Sequence, residues 1–335
     1  VALIAMDGFD NYSGGADMAA RVGTLQWSSG AGGGIWIYSP GRFGGRYLSG
    51  ANVIASLSAT MPAGYFGFAV MSSSNIYVID GKTGTTQCWF SLDATYGYVS
   101  AYNAAGTLVA QSPANTYNGN VWQFVEFYVS IGTSGAMAMR LNNVPIFSVT
   151  GVNTQKSANG TFSALQLNNG GQLASFDDFR VNDTTAGPGA YPNNSWMGDL
   201  RVVDLLPISN SSVAWTPLTG ANWQEVSEAT FDGDASYNST ITVGAEDLFN
   251  FAALANTIDQ IVGVQLMGAY READASTHTI AQHLSVAGTD YAGAPRALSK
   301  AYSFITDLFP VNPATNAAWT LADINALLAG YSLAS

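Results

Sequence analysis

In the first half of the chain, apolar residues return at every second position in short runs, and each run stops at a cluster of Gly, Asn, Ser or Pro. A repeat of two is the repeat of a pleated strand, whose successive side chains point to opposite faces, and it makes no single stripe on a helix. Short strands bounded by turn residues fold as antiparallel sheets packed face to face, so an all-β sandwich is expected. Strands are expected at 35–38, 65–71, 76–79, 87–92, 96–102 and 121–131. In the last of these, Val125, Phe127, Val129 and Ile131 form a core face, and Phe124, Glu126, Tyr128 and Ser130 a partly wet one.

Residues 137–149 read as a hairpin whose turn is Asn142-Asn143, two residues tolerant of positive φ. Pro145 lacks an amide hydrogen and places the returning strand at a sheet edge or a strand start. A strand at 174–182 follows, its simple alternation sending Asp177 and Asp178 to opposite faces, with one of them buried and satisfied by backbone or by Arg201. The Gly- and Pro-rich stretch after it gives the expected organisation: a first domain over 1–186, a linker over 187–196 and a second domain over 197–335. The second domain reads as mainly β, with strands at 200–206, 248–251, 258–270, 277–286 and 301–309. One short helix closes it, capped by Thr320 with Asp323 three residues on, stapled by Trp319 and Ile324, and terminated at Gly330.

Length supports two domains, since 335 residues exceed the roughly 250–300 at which one core stops growing. Charge narrows the partners: 11 Lys and Arg against 23 Asp and Glu give a net charge of −12, which repels nucleic acid and anionic membranes. Neither is expected as a partner. The single cysteine, Cys88, cannot close an intrachain disulfide and reads as a small buried hydrophobe. The opening run 1–6 is too short for a signal peptide and lacks its basic flank, so synthesis in the cytoplasm is expected.

With Asp7-Gly8-Phe9-Asp10, the hairpin Met139-Arg140-Leu141-Asn142-Asn143-Val144-Pro145-Ile146 and the closing Phe176-Asp177-Asp178-Phe179-Arg180-Val181, the first domain resembles a laminin-G-like, or concanavalin-like, jelly roll. The family's turn is usually Asn-Gly or Asp-Gly, and this chain has Asn-Asn. The whole chain further resembles tailed-bacteriophage structural proteins, through Gly198-Asp199-Leu200-Arg201-Val202, Trp215-Thr216-Pro217, Asp232-Gly233-Asp234 and 312–320. That resemblance implies a virion protein, a component of a tail, fibre or spike or a capsid decoration protein, made in the host cytoplasm. Its implied partners are other virion proteins, copies of itself in a homo-oligomer that is trimeric in a fibre or spike, and a host-surface glycan.

Candidate chemistry is sparse. The two histidines, His278 and His283, lie at odd spacing in one expected strand, which sends them to opposite faces with no second ligand at metal spacing. None of the five glutamates begins an alternating Glu-x-Asp-x-Glu run of the kind that places two carboxylates across a glycosidic bond, although outward-facing Glu126 is free to pair with an aspartate from elsewhere. Asp232, Asp234 and Ser236 resemble the start of a calcium loop, but Tyr237 replaces its glycine and Val243 its bidentate glutamate. An acidic turn is the favoured reading there, with calcium the alternative, and no cofactor is expected.

Carbohydrate recognition requires exposed rings beside amides, and Tyr96, Tyr98, Tyr102, Asn103, Tyr117 and Asn118 supply both types. Charged residues make up only 10% of the chain, which suits a subunit that covers its surface against copies or partners. Taken with the resemblance to phage structural proteins, which implies it, the expected function is a non-enzymatic virion structural protein. The alternatives are a free-standing glycan-binding lectin and a glycan-depolymerising tail enzyme.

Overall fold

The computed structural model describes residues 3–168, 173–186, 193–254, 258 and 260–335. Six positions of the expected linker, 187–192, lie outside the described residues. The chain is all-β, a concanavalin-like (laminin-G-like) jelly-roll sandwich followed by a second mainly-β part with a short helix near its end. The sandwich strands are β1 (Leu3–Asp7), β2 (Arg21–Val22), β3 (Leu25–Tyr38), β4 (Tyr47–Met61), β5 (Ala63–Met71), β6 (Ser74–Asp80) and β7 (Thr85–Asp93). They continue with β8 (Tyr98–Tyr102), β9 (Leu108–Gln111), β10 (Gln123–Ser130), β11 (Gly135–Leu141), β12 (Val144–Val152), β13 (Phe162–Asn168) and β14 (Ala174–Asp183).

Hydrogen bonds link all of these strands but β2 in one path, β12-β11-β10-β5-β14-β4-β13-β6-β7-β8-β9, with β1 added on β14 and β3 on β4. Laid flat, β10 and β7 stand six steps apart on that path, roughly 29 Å at the usual strand spacing. Yet the rings of Phe90 on β7 and Phe127 on β10 have centroids 4.6 Å apart. The path must fold back on itself, bringing β5, β10 and β11 over β6, β7 and β8 as two facing layers. Between them lie Phe66, Phe68, Phe90, Phe127, Phe176 and Phe179, all fully buried. The two ends of the path also meet, where the Ala104 amide donates to the Asn153 carbonyl at 2.9 Å.

The expected hairpin is present as β11 and β12, with Asn142 at φ 47° and Asn143 at φ 69°, and β12 is an end strand of the path as Pro145 requires. Both asparagines are also engaged beyond the turn. Asn142 Oδ1 accepts from the Phe124 amide at 2.9 Å and Asn143 Oδ1 from the Asp199 amide at 2.8 Å, which a glycine could not do. The strand at 174–182 departs from simple alternation. A bulge at Asp177/Arg180, with Asp178 at φ 53°, turns both aspartates inward. Asp177 accepts from the Arg42 amide at 2.8 Å and Asp178 from the Val202 amide at 2.9 Å, so Arg42 takes the place expected for Arg201.

The second part holds β15 (Pro207–Ser212), β16 (Thr216–Pro217), β17 (Asn238–Ser239), β18 (Glu246–Phe251), β19 (Val264–Tyr270), β20 (Thr279–Val286), β21 (Thr289–Ala292), β22 (Arg296–Ala297), β23 (Ser303–Phe309) and β24 (Leu328–Leu333). No strand forms over 200–206, where the backbone instead follows the bulge through the Val202 bond to Asp178. The sandwich and the second part share a sheet, because β2 pairs in parallel with β23 and Arg21 donates to Gln265 Oε1 at 3.0 Å. The helix Leu321–Ala326 starts as expected, its Asp323 amide donating to Thr320 Oγ1 at 3.1 Å. It ends sooner than expected. Gly330 is not its terminator but sits inside β24, where a Cβ would stand 1.7 Å from the Asp247 carbonyl oxygen.

Candidate glycan-binding face

Pairing in the layer β13-β6-β7-β8 aligns Gln166 with Tyr77, Tyr77 with Trp89, and Trp89 with Tyr102. Phe90 fills the core on one side of β7, so Trp89 and its row stand on the outer side, half-buried against one another. The Trp89 and Tyr102 rings stack at 5.0 Å and 9°, and Tyr77 lies 6.1 Å from Trp89. At the edge of the row Gly106, at φ 81°, passes so close that a Cβ would meet Trp89 Cη2 at 3.1 Å. Amides and hydroxyls frame the rings: Gln166 bonds to Asn52, and Gln111 Nε2 donates to Ser100 Oγ at 3.1 Å. Nothing in the row is ionised. The apolar ring surface that the stack leaves open, beside neutral donors and acceptors, suits the C–H groups and hydroxyls of a pyranose.

The residues singled out from the sequence distribute unevenly around this face. Tyr102 belongs to the row, and Tyr98 lies four residues earlier on β8, its ring 6.2 Å from Tyr96, which is 64% exposed. Asn103 and Asn118 point their carbonyls into neighbouring turns, accepting from Thr107 at 2.9 Å and Asn120 at 3.0 Å. Tyr117 is a correction to the expectation of an exposed ring: it is 2% exposed, its hydroxyl donates to the Ser72 carbonyl at 2.6 Å, and burial pushes its pKa up. Tyr77, Trp89 and Gln166 escaped the sequence reading. Alternation at 87–92 does put Trp89 opposite Phe90, but which residues flank it depends on cross-strand register.

The carboxylates singled out from the sequence have protein partners. Glu126, expected to be outward-facing and free, is buried at 1% and paired with Arg180, because the segment around Met197 and Gly198 crosses over it. Ser236 bonds to Glu228 and Asp232, while Asp234 pairs with Arg271 at 2.9 Å and accepts from the Tyr302 hydroxyl at 2.6 Å. The histidines part company: His283 Nε2 contacts Ser332 Oγ at 2.7 Å, and His278 Nδ1 contacts Glu272 Oε2 at 2.8 Å. Glu272, Asp274 and His278 bring potential metal-ligating atoms within 4.8 Å of one another, which corrects the expectation that no second ligand lies near either histidine.

The fold and this face define a concanavalin-like sandwich with an aromatic outer row. No family model matches the chain, and no curated protein matches its sequence. Among solved structures it is similar to the carbohydrate binding module CBM66 from Bacillus subtilis, at 12% identity and a TM-score of 0.31, covering 47% of this chain and 91% of that one. A galectin from Caenorhabditis elegans is 11% identical with a TM-score of 0.30, covering 39% and 91% of the two chains. An endo-β-1,4-glucuronan lyase from Trichoderma reesei is 10% identical with a TM-score of 0.33, covering 48% and 91%. The presence of a lyase in this set corrects the expectation that the chain is not an enzyme, since the sandwich is shared by catalysts and binding modules and its architecture excludes neither.

Proposed function

We propose that the outer face of β13-β6-β7-β8 binds a neutral glycan, with the stacked Trp89–Tyr102 pair as its apolar contact surface, Tyr77 extending it, and Gln166, Asn52 and Gln111 as hydrogen-bonding partners to sugar hydroxyls. What supports this is the contiguous aromatic row, with ring spacings of 6.1 and 5.0 Å, on a sheet face free of ionised side chains along that row. A glycan array probed with the intact chain tests it. Binding to neutral glycans is expected, weakened at least tenfold by Trp89→Ala and by Tyr102→Ala; an array on which both variants match the parent removes the proposal.

The setting proposed for this face is a virion, a tail, fibre, spike or decoration protein made in the host cytoplasm and attached to copies of itself and to other virion proteins. The sequence resemblance supports that setting, and the glycan would then lie on the host surface. Mass spectrometry of purified particles should find the chain in fixed stoichiometry, and its absence from particles would leave a free-standing lectin.

A further inference from the structure

On the opposite outer face, pairing places Tyr65 beside Tyr128, Tyr128 beside Ala138, and Ala138 beside Ser148 across β5, β10, β11 and β12. Two large rings followed by two small residues make a step in the sheet surface. The step is the wall of a hollow of about 420 Å³, with Arg140 and Trp196 on its rim. Tyr65 and Tyr128 have ring centroids 4.7 Å apart, Trp196 meets Tyr65 edge-on at 5.1 Å, and the Arg140 guanidinium lies 4.7 Å over the Trp196 ring.

Trp196 is not carried by the sheet. It is held there by a strap, residues 193–198, that buried polar groups fasten down. Glu126 Oε1 accepts from the amides of Met197 and Gly198 at 3.0 Å each, Arg180 donates to the Gly198 carbonyl at 2.9 Å, and Asn182 donates to the carbonyls of Asn193 and Ser195. A buried Glu–Arg pair is expensive to desolvate and weak as a source of stability. Here its effect is to fix one tryptophan against a tyrosine and beneath an arginine.

Arg140 carries the charge of the hollow. In a chain of net charge −12 it has, like Arg46 and Arg201, no carboxylate within ion-pairing distance among the described residues, since Glu126, its partner in register, is held by Arg180. Stacking occupies the flat face of a guanidinium and leaves its in-plane N–H donors free, the edge that matches a carboxylate with two parallel hydrogen bonds. The hollow has room for a sugar ring, and the tyrosine and tryptophan rings offer it apolar faces.

We propose that this hollow is a second saccharide site, distinct from the neutral row on the other layer and selective for an acidic sugar residue whose carboxylate is held by Arg140 and whose ring packs on Trp196 and Tyr128. It stands independently of the Trp89 row, and the variants separate the two.

Isothermal titration of the intact chain with tetragalacturonate, its fully methyl-esterified counterpart, a glucuronate oligosaccharide, an oligomer of N-acetylneuraminate and sodium acetate tests it. At least one acidic oligosaccharide is expected to bind. For tetragalacturonate the esterified form should bind at least tenfold more weakly, and acetate alone should fail to compete at equal concentration. Arg140→Ala should weaken the acidic ligand at least tenfold, Arg140→Lys should recover only part of that because it keeps the charge without the planar fork, and Trp89→Ala should leave it unchanged. Circular dichroism and melting confirm that each variant is folded. Equal binding of acid and ester, loss in Trp89→Ala but not Arg140→Ala, competition by acetate alone, or no binding by any of the three acidic oligosaccharides overturns the proposal.

Discussion

At the scale of single residues, the largest energies lie in the aromatic core and the most informative ones in buried carboxylates. Phe127 touches Phe66, Phe68 and Phe90 with ring centroids between 4.6 and 5.9 Å, so Phe127→Ala should lower unfolding stability by about 3–5 kcal/mol in a denaturant titration. Burial raises Asp177 and Asp204 to about 7 and Asp178 to about 6, against an ordinary value of 3.8. Within that window the folded chain holds protons the unfolded chain has released, so these groups favour folding at low pH and lose that contribution as pH rises through 6–7. Asp80 runs the other way. Hydrogen bonds led by Asn159 hold it at about 2, and its contribution is present above 3.8 and lost as pH falls toward 2. The melting temperature should therefore peak at mildly acidic pH. Asp204, which lines a cavity of about 1000 Å³ between the sandwich and the second part, offers the cleanest check. Asp204→Asn should raise the melting temperature at pH 8 and leave it unchanged at pH 3.

At the scale of elements, stability and legibility both follow from how local each determinant is. Thr320→Ala removes the acceptor for the Asp323 amide and should cost about 1 kcal/mol. Gly330→Ala, which would force a Cβ to 1.7 Å from the Asp247 carbonyl oxygen, should cost about 3 kcal/mol and open the β18–β24 pairing. The helix start and the Asn142-Asn143 hairpin are legible in sequence because a cap or a two-residue turn is complete within a few positions. The glycine is not. A Gly after a short amphipathic run has the same local signature whether it ends a helix or lets a neighbouring strand approach, and only the partner strand decides. The Asp177–Asp178 bulge fails for a related reason, since an extra residue in one strand is set by backbone amide donors on the Arg42 and Val202 segments, far away in sequence. The candidate glycan face was half legible: Tyr98 and Tyr102 stand out by type, whereas Tyr77 and Trp89 join them only through register across three strands.

At the scale of the whole molecule, one folded-back sheet presents two unlike outer surfaces. One carries the uncharged row Tyr77–Trp89–Tyr102, and the other carries Arg140 above Trp196. That placement follows from the sandwich itself: alternation that sends phenylalanines inward from both layers sends the tyrosines and Trp89 outward, leaving two independent faces for ligands. Whether the Trp89 row is a glycan-binding surface is decided by the position of a bound sugar in a crystal structure of the chain with a neutral oligosaccharide that it binds. A pyranose ring is expected within about 4 Å of the Trp89 and Tyr102 rings, with its hydroxyls on Gln166 or Gln111. A sugar seated in the loops at the sandwich rim, with Trp89 untouched, would contradict it.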